Sequence, residues 1–272
     1  MIDKRIPILL VTRSTRPQNL PEMFTSVNWL TQTLKETHHV IWYIGVDRFR
    51  KNPWSRDAYE SYVRDCNSWE LTVLHGEFCS KSHLDYGCSV AADIVKDFDT
   101  TRYAEVGVPE DMKDNTLCYL FDDDNTFNWG LSKCFEQAEF ICPTLFSMRW
   151  KDGQIITPVQ FLLVDQKNPE FCHGIDSAQF IIPLHILRAI GYYTGGLRID
   201  QETIANAIKY STSYKILTYI GAHYNAINSE HFDYDEIAKH PTAWYSVEQD
   251  KQIRLINGNF IENTSLGTNL KR

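Results

Sequence analysis

Residues 117–127 read LCYLFDDDNTF, an apolar run that ends in three carboxylates and is followed by an aromatic residue. The apolar run is short and bounded, which predicts a buried strand. Asp122, Asp123 and Asp124 then lie at the C-terminal end of that strand, which is where ligands bind in an open α/β sheet. In an extended segment Asp122 and Asp124 point the same way and Asp123 points the opposite way, so two carboxylates could serve one site.

Three adjacent carboxylates repel one another, and a bound cation would relieve that repulsion. Hard divalent ions such as Mg²⁺ and Mn²⁺ suit carboxylate oxygens and often bridge to the phosphates of a substrate. The alternative interpretation is a solvated acidic turn, since Asp and Asn are common turn residues. A helix–loop–helix calcium loop does not fit, because it requires Gly in place of Phe127 and Glu in place of Lys133.

The composition is typical of a globular protein with a sizeable core. The chain has 272 residues, of which 43% are hydrophobic and 13% aromatic, enough for one large domain or two small ones. Lys and Arg number 27 and Asp and Glu 35, which gives a formal net charge of −8. This charge argues against a broad nucleic-acid-binding face, although not against a local basic patch.

The cysteines and the apolar runs indicate the compartment. Cysteine occurs 7 times, no Cys-x-x-Cys is present, and several cysteines lie within apolar runs. We therefore expect buried thiols in a reducing compartment and no zinc site. The run Ile6–Val11 is too short for a signal peptide or a membrane span, and no other stretch reaches membrane length. These features together predict a cytoplasmic protein.

The first part of the chain predicts alternating strands and helices. Residues 6–12 form the first predicted strand, and apolar residues at helical spacing predict a helix over residues 20–34. Residues 39–46 form a second strand that ends in Asp47. A strand–helix–strand unit predicts a parallel sheet. The first turn contains no glycine, so neither a dinucleotide-binding G-x-G-x-x-G nor a P-loop is present.

The alternation continues up to about residue 146. A basic stretch with interleaved aromatic residues, 48–56, is interpreted as a solvated loop, although it could contact a phosphate or a nucleic-acid strand. The later elements predicted in this half are a strand at 71–74, a helix at 82–97, the strand at 117–121, a short helix at 130–139 and a strand at 140–146.

The second half predicts a strand at 155–164, a helix at 183–190, a helix from Ile199 to Tyr210 with Asp200 near its N-cap, and an apolar strand at 214–222. No internal repeat or low-complexity linker interrupts the chain. We therefore predict a single α/β domain with a mixed sheet flanked by helices. Residues 1–127 would form a nucleotide-binding half, 128–225 an acceptor half, and 226–272 a C-terminal cover and tail.

The FDDDNT run at Phe121–Thr126 resembles the metal-binding signature of GT-A glycosyltransferases. The residues of this motif most resemble those of the β-1,3-glucuronyltransferases, and they are similar in a more general way to the family-2 glycosyltransferases. The opening strand with Thr12 and Arg16 resembles the first strand and loop of those enzymes. Asp47, at the end of the second strand, is similar to their acidic position beside the uracil.

The second half adds to the resemblance. The segment Gly174–Phe180 is similar to the family segment that lies under the donor sugar and acceptor. Asp200 falls where the family has its catalytic carboxylate, although the family residue is Glu and Glu202 is close enough to compete. His223 falls where many members have a C-terminal His that contacts the metal or the diphosphate. The predicted helix at 82–97 lacks the Arg-Asn pattern expected at the diphosphate.

The resemblance implies a GT-A type, Rossmann-like fold and transfer of a sugar from a nucleotide-diphosphate donor, with UDP as the expected nucleotide, to a hydroxyl acceptor. A Mn²⁺ or Mg²⁺ ion held by Asp124, with Asp122 and His223, would neutralise the leaving diphosphate. An inverting transfer needs a base, for which Asp200 is the first choice and Glu202 the reserve. The residues expected to bind donor or acceptor are Thr12, Arg13, Arg16, Asp47, Asp122, Asp123 and Asp176.

Each of these residues also has a purely structural interpretation. Asp200 is a candidate helix N-cap, Asp176 a candidate turn cap, and Asp47 a candidate turn residue at the end of a strand. His223 is a candidate core histidine. Arg13 and Arg16 are candidates for solvated side chains.

Three functions compete with an inverting transferase: a retaining transferase, a sugar nucleotidyltransferase and a non-catalytic sugar-binding or metal-binding module. The nucleotidyltransferase would be expected to have a Gly-rich loop early in the chain, and residues 12–17 contain no glycine. The acceptor is open between a glycan, a lipid-linked sugar, a protein and a hydroxylated nucleobase. Nucleic acid is disfavoured by the net charge of −8.

Overall fold

The computed structural model is an α/β fold built on one mixed sheet with helices on both faces, as predicted. It describes residues 4–48, 54–79, 88–150, 153–158, 175–193, 199–224, 226–227, 252–256 and 259–263. The strands are β1 (Ile6–Ser14), β2 (His38–Asp47), β3 (Leu71–Phe78), β4 (Leu117–Leu120), β5 (Thr126–Phe127), β6 (Thr144–Trp150), β7 (Ile155–Ile156), β8 (Phe180–Pro183), β9 (Ser213–Tyr224), β10 (Gln252–Ile256) and β11 (Asn259–Asn263). The helices are α1 (Leu20–Leu34), α2 (Arg56–Cys66), α3 (Cys88–Asp97), α4 (Gly130–Glu136), α5 (Leu184–Ala189) and α6 (Ile199–Ser211).

The strand order is β11-β10-β9-β6-β8-β4-β1-β2-β3, with β5 paired to β9 and β7 paired to β6. The pairs β1–β2, β2–β3, β1–β4 and β6–β9 are parallel, whereas β8 is antiparallel to both β4 and β6. Strands β1, β2, β4, β6 and β9 therefore all end at one edge of the sheet, which we call the carboxyl edge. Strand β8 begins at that edge.

Each face of the sheet packs against its own hydrophobic cluster. On one face, Leu20 and Val27 of α1 and Leu131 of α4 join Ile8 and Trp42 of the strands. On the other face lie Leu9, Val11 and Ile41 with Val90 and Ile94 of α3, Leu184 of α5 and Ile204 of α6. Alternate residues of β1 thus face opposite clusters, as the two-residue period of a strand requires. This arrangement keeps both faces of the parallel strands buried, which is usual for parallel sheets.

The described elements correct three of the predicted boundaries. The strand predicted at 140–146 begins only at Thr144 and runs to Trp150, because residues 137–143 are irregular, with a bend at 140–142, and Pro143 has no N–H to donate to a neighbouring strand. The strand predicted at 71–74 extends to Phe78. Strands β10 and β11, within the predicted C-terminal cover, pair with β9 and lengthen the sheet.

Two other predicted elements lie partly outside the described residues. These are residues 82–87 of the helix predicted at 82–97 and residues 159–164 of the strand predicted at 155–164. Cys66, Cys118, Cys134 and Cys142 are buried thiols, as expected, whereas Cys79 is exposed. Within the described ranges, no helix combines the length and the apolar character that crossing a membrane requires.

Candidate active site at the carboxyl edge

Five segments bring charged side chains to the carboxyl edge of the sheet. The end of β1 supplies Arg13 and the following loop supplies Arg16, while the end of β4 supplies residues 122–124. Asp176 precedes β8, which begins at this edge. Asp200 lies in the first turn of α6, and α6 runs back along the sheet before β9. Parallel strands and the helices between them place such ends together, as open α/β sheets do around their ligand sites.

Asp122 is held by Arg13. Nε of Arg13 donates to Asp122 Oδ1 at 2.8 Å, and Nη2 donates to Oδ1 at 2.5 Å and to Oδ2 at 2.6 Å. Both side chains are mostly buried, with exposed fractions of 14% and 21%. A charge-assisted pair of this geometry fixes both the guanidinium and the carboxylate. Arg13 is therefore held against Asp122 and is not a solvated side chain.

Asp123 faces the loop after β1 rather than a shared position with Asp122 and Asp124. Its Oδ2 accepts hydrogen bonds from the backbone N–H groups of Thr15 and Arg16, both at 2.6 Å, and from the Thr15 hydroxyl at 3.1 Å. Its Oδ1 accepts from Nε and Nη2 of Arg16 at 2.8 and 2.5 Å. The Asn19 amide donates to the Asp123 carbonyl at 2.7 Å. These contacts tie the β1 loop to the β4 loop.

Asp124 shares Arg16, whose Nη2 lies 2.8 Å from Asp124 Oδ2. Burial raises the pKa of Asp124 and the neighbouring charge of Asp122 raises it further, while Arg16 lowers it. The guanidinium of Arg16 is 36% exposed and bridges two carboxylates. Asp124 thus lies in an environment with more negative than positive charge, where a further cation would be stabilised.

Asp176 and Asp200 form the second half of the site. Asp176 caps the short 3-10 turn Ser177–Gln179 by accepting from the Ala178 N–H at 2.9 Å, so the turn-cap interpretation is confirmed. Burial raises the pKa of Asp176, and the charges of Asp200 and Asp122 raise it further. Burial also raises the pKa of Asp200 to about 6, and the opposing influences are the positive charge of Arg13 and hydrogen bonds from Ser177.

One cation, Arg13, and one carboxylate, Asp122, influence the pKa of both aspartates. Arg13 lowers the pKa of Asp176 and of Asp200, while Asp122 raises both. Oδ1 of Asp200 is shielded from solvent and has no hydrogen-bond partner in the part of the chain that the structure describes. Glu202, two residues further along α6, is exposed. Of the two carboxylates considered as a base, only Asp200 faces the site.

Three other predicted residues are buried at or near the ends of their strands. Thr12 is fully buried, and its hydroxyl accepts a hydrogen bond from the indole of Trp42 at 2.8 Å. Asp47 is fully buried at the end of β2, the strand next to β1. His223 is buried near the end of β9, where it pairs in register with Thr126.

The histidine is neutral, because burial lowers the pKa of His223 to about 3 and the charge of Arg149 lowers it further. Its Nε2 lies 2.9 Å from Nδ2 of Asn128, whose Oδ1 accepts from the Gly130 N–H at 3.0 Å. The Gly130 bond identifies Nδ2 of Asn128 as the donor, so Nε2 of His223 accepts and its lone pair is occupied.

The structure adds groups that the sequence pattern did not single out. Ser177 donates to Asp200, Thr15 holds Asp123, and the ring of Tyr193 lies in the electrostatic field of Asp200, Arg13 and Asp122. Ser177 and Tyr193 occur in stretches without a distinctive periodicity, so their positions depend on how β8 and α6 meet β4. Only the position of Thr15 between two candidate arginines gave a local signal.

A divalent cation would have to bind this site through one or two carboxylates, with other ligands from water or substrate. Among the described residues, no group of three or more His, Cys, Asp or Glu side chains is arranged to hold a metal ion. Mg²⁺ often binds through one or two carboxylates, with waters and substrate phosphates completing the shell. Asp124 and Asp122 would be the carboxylates of such a site, in competition with Arg16 and Arg13, which already pair with them.

Comparison with known proteins gives only distant structural matches. No protein-family model matches the sequence, and no curated protein matches it. S. aureus TarS in complex with UDP-GlcNAc is 13% identical with a TM-score of 0.49, over 80% of this chain and 58% of that chain.

Mouse xyloside xylosyltransferase 1 is 11% identical with a TM-score of 0.37, over 75% of this chain and 82% of that one. The mannosyltransferase Ktr4p of S. cerevisiae in complex with GDP is 12% identical with a TM-score of 0.36, over 78% and 69%. This chain thus spans less than two thirds of the length of the TarS chain that it matches. Matches at this level do not assign an activity or a family.

Proposed function

We propose that this protein is a nucleotide-sugar-dependent glycosyltransferase that moves a sugar to a hydroxyl acceptor with inversion. The observation that supports the proposal most is the position of Asp200. Its carboxylate lies at the carboxyl edge with one oxygen unpartnered in the described residues and a pKa raised to about 6 by burial. A base whose pKa lies near the working pH is suited to taking a proton from a hydroxyl.

The proposed reaction is a single displacement. The acceptor oxygen forms a bond to the anomeric carbon of the donor sugar while the bond from that carbon to the diphosphate oxygen breaks. Asp200 takes the proton of the acceptor hydroxyl, and the diphosphate leaves with the bonding electrons. Asp176 accepts from the Ala178 N–H at 2.9 Å at the same edge of the sheet, where it would also accept hydrogen bonds from sugar hydroxyls.

The leaving diphosphate develops negative charge that the site must stabilise. In the proposal, Asp124 and Asp122 hold a Mn²⁺ or Mg²⁺ ion, which when bound supplies charge neutralisation of the diphosphate. Arg16 bridges Asp123 and Asp124 and is 36% exposed, so it can pair with a phosphate instead of Asp124. Ligation by His223 would require its bond to Asn128 to break, so this histidine is the weaker part of the predicted metal set.

The nucleotide is proposed to be UDP, with Asp47 beside the base, on the resemblance of the first two strands to GT-A enzymes. Thr12 would act by packing, since its hydroxyl already accepts from Trp42. Asp123 would act by holding the loop that bears Arg16. These roles place the nucleotide over the ends of β1, β2 and β4.

A panel of nucleotide-sugars tests the proposal. The purified chain is titrated with UDP-glucose, UDP-GlcNAc, UDP-galactose and UDP-glucuronate, with Mn²⁺ or with EDTA, and thermal shift and release of UDP are recorded. We expect one donor to raise the melting temperature and to release UDP slowly, with both effects weakened by EDTA and by Asp124→Asn. Asp111→Asn, an exposed carboxylate away from the carboxyl edge, is the matched control.

The outcomes separate the candidate functions. Binding of a donor without turnover, unchanged by Asp200→Asn, would indicate a sugar-binding module. Turnover that is insensitive to EDTA would support the transferase and reject its dependence on a metal. Arg13 and Arg16 would then be the positive charges that stabilise the diphosphate. No response to any donor would remove the proposed function as a whole.

A further inference from the structure

A groove of about 1070 Å³ crosses the edge of the sheet opposite the carboxyl edge. It is lined by Arg5, which precedes β1, by His39 at the start of β2 and by Thr72 at the start of β3, so three parallel strands begin beneath it. The loop at 106–109 and the turn before β3 add to the lining. The described lining shares no residue with the candidate active site, so the groove is a separate surface of the molecule.

Hydrogen bonds fix the base of the groove. Nη1 of Arg5 donates to the Lys35 carbonyl at 3.0 Å, and its Nη2 lies 3.1 Å from Nδ1 of His39. Because a guanidinium only donates, Nδ1 of His39 accepts and Nε2 carries the proton, which it donates to the Thr72 hydroxyl at 2.9 Å. The chain of hydrogen bonds from Arg5 through His39 to Thr72 therefore links the starts of the three strands, and the Thr72 hydroxyl keeps its own proton to donate.

The turn before β3 brings Trp69, which is 87% exposed, to this groove. The Ser68 N–H donates to the Leu71 carbonyl at 3.0 Å, and the Leu71 N–H donates back to the Ser68 hydroxyl at 3.1 Å. Oδ1 of Asn67 accepts from the Val73 N–H at 2.8 Å, and Nδ2 of Asn67 donates to the Val73 carbonyl at 3.1 Å. The indole is thus presented to solvent by a turn whose base is bonded to the edge strand β3.

An exposed indole on a fixed turn is suited to stacking against a ligand. Tryptophan is highly buried on average, as Trp42 is in this chain with an exposed fraction of 0%. A flat aromatic face in water can be covered by the apolar face of a sugar ring or by a nucleobase. Since the turn that bears Trp69 is already ordered, a ligand would lose little binding free energy to ordering it.

The charges along the groove distinguish between these two ligands. Three basic side chains, Lys4, Arg5 and Lys35, line the groove together with two acidic ones, Glu36 and Glu70. The groove thus has an excess of one positive charge in a chain whose net charge is −8, and both lysines are exposed. Two carboxylates among the cations would repel a phosphodiester backbone, which is charged at every nucleotide. A saccharide whose anionic groups are farther apart can pair with the cations and avoid the carboxylates.

We propose that this groove binds an acidic oligosaccharide, with one sugar ring stacked on Trp69 and carboxylates of the chain paired with Lys4 and Lys35. The Thr72 hydroxyl donates to a sugar oxygen at the base of the groove. This site goes beyond the proposed transfer reaction, because it lies at the opposite edge of the sheet and uses none of the residues assigned to that reaction. It can hold a saccharide whether or not the chain is an enzyme.

Titration of the purified full chain with a hyaluronan hexasaccharide, which bears a carboxylate on alternate sugars, tests the inference. Chitohexaose, which has the same number of sugars and no carboxylate, and a single-stranded DNA hexamer are the competing probes. Calorimetry at low and at high NaCl gives the Kd, and tryptophan fluorescence reports contact with the exposed indole. We expect the hexasaccharide to bind more tightly than either competing probe and to bind more weakly at high salt.

Substitutions in the groove test which side chains hold the ligand. Trp69→Ala should raise the Kd of the hexasaccharide about three- to tenfold, the effect of one stacked aromatic ring. Lys35→Gln should raise it about two- to fourfold, the effect of one exposed ion pair. Tyr210→Ala, at an aromatic residue that is 55% exposed and lies outside the groove, and Lys209→Gln are the matched controls and should leave the Kd unchanged.

Three results would overturn the inference. The first is no binding of the hexasaccharide, or the same Kd for the wild type and Trp69→Ala. The second is a Kd for chitohexaose equal to or below that of the hexasaccharide, which would remove the role of the lysines. The third is a lower Kd for the DNA hexamer, which would make the groove a nucleic-acid site. Trp69→Ala should keep the UDP release of the wild type, so failure here leaves the proposed function standing, and failure of every nucleotide-sugar leaves this groove standing.

Discussion

Asp99 and Asp200 are both shielded carboxylates near an arginine, yet their surroundings differ. Asp99 accepts from Nε and Nη2 of Arg188, each at 2.7 Å, and from the Tyr192 hydroxyl at 2.8 Å. Lys113 lies 3.5 Å away. These bonds hold the pKa of Asp99 below its usual value although burial opposes them. Asp200 has fewer partners, and burial raises its pKa to about 6.

The difference follows from where the two carboxylates lie in the fold. Asp99 follows α3, and Arg188 is in α5, which begins where the Leu184 N–H donates to the carbonyl of Thr116 just before β4. That is the edge of the sheet opposite the carboxyl edge. Both carboxylate oxygens of Asp99 therefore accept hydrogen bonds, and we call its contacts with Arg188 and Tyr192 the clamp. Asp200, in contrast, has one oxygen without a hydrogen-bond partner in the described residues, and it lies at the edge where ligands bind in such sheets. The Asp99 contacts stabilise the fold, whereas the carboxylate with an unpaired oxygen, Asp200, is the one proposed as the base.

The largest expected effect is on turnover in Asp200→Asn. Loss of a general base lowers turnover by about 10²–10⁴-fold, and the amide keeps the shape of the side chain. Stability should be unchanged or higher, because burial disfavours the charged form of Asp200 and one of its oxygens has no partner among the described residues, whereas the amide is neutral. UDP release from the donor found above measures turnover, and thermal melting measures stability.

The contrary result is as informative. A large loss in Glu202→Gln with little loss in Asp200→Asn would assign the base to the reserve carboxylate, against its exposed position. Asp111→Asn again controls for the removal of one exposed carboxylate. A marked fall in the melting temperature of Asp200→Asn would show that Asp200 stabilises the fold as Asp99 does. The proposed difference between the two carboxylates would then be wrong.

The second prediction concerns the clamp. Asp99→Asn should lower the free energy of unfolding by about 2–3 kcal/mol, less than for a fully buried pair because Arg188 stays 40% exposed. Donor affinity should change little. Urea denaturation measures the effect, and Glu60→Gln, which breaks an exposed pair with Arg56, should stay within about 0.5 kcal/mol of the wild type. Equal stability of the two variants would contradict the clamp.

The two carboxylates should also differ in the pH dependence of stability. The raised pKa of Asp200 means that between about pH 4 and pH 6 the folded chain binds a proton that the unfolded chain has lost, so this group lowers stability as pH rises. The lowered pKa of Asp99 does the opposite, and its contribution is lost as pH falls below about 4.

Urea denaturation across pH 3–7 in both variants measures this difference. Asp200→Asn should remove the decline between about pH 4 and pH 6, and Asp99→Asn should reduce the loss of stability below about pH 4. Turnover of the wild type should rise with pH through about 6, as Asp200 becomes the free base. A turnover that is level from pH 5 to pH 7 would argue against Asp200 as the base.

The sequence predicted which residues lie at the ends of strands, but it did not predict which of these side chains contact one another. The apolar run before Asp122 and the strand before Asp47 were sufficient to place both at one edge, because parallel strands have one direction. The pairing of Arg13 with Asp122 joins residues 109 positions apart, and no local pattern encodes it. Asp122–Asp124 were expected to need a cation, and the structure supplies part of that charge from Arg13 and Arg16.

The clamp and Tyr193 were not predicted, for a physical reason. The helix predicted at 183–190 indicated that the chain turns after residue 190, but positive φ at a tyrosine is uncommon, so the conformation of Tyr192 was not predicted. Asp99 follows a helix and has no periodic signal of its own. Its role depends on Arg188, 89 residues later. Contacts of this range arise from tertiary packing, whereas strands and helices are encoded in local patterns.

The smallest expected effect connects the two regions. Tyr192→Phe removes one hydrogen bond to Asp99 and should lower the free energy of unfolding by about 1 kcal/mol. Because Tyr192 also holds the turn between α5 and α6, and α6 bears Asp200, donor hydrolysis should also fall, by far less than in Asp200→Asn. Tyr210→Phe, at a tyrosine that is 55% exposed, controls for loss of a surface hydroxyl. If Tyr192→Phe lowers stability and leaves hydrolysis unchanged, the clamp and the site are independent. If both fall together, the clamp helps to position the site.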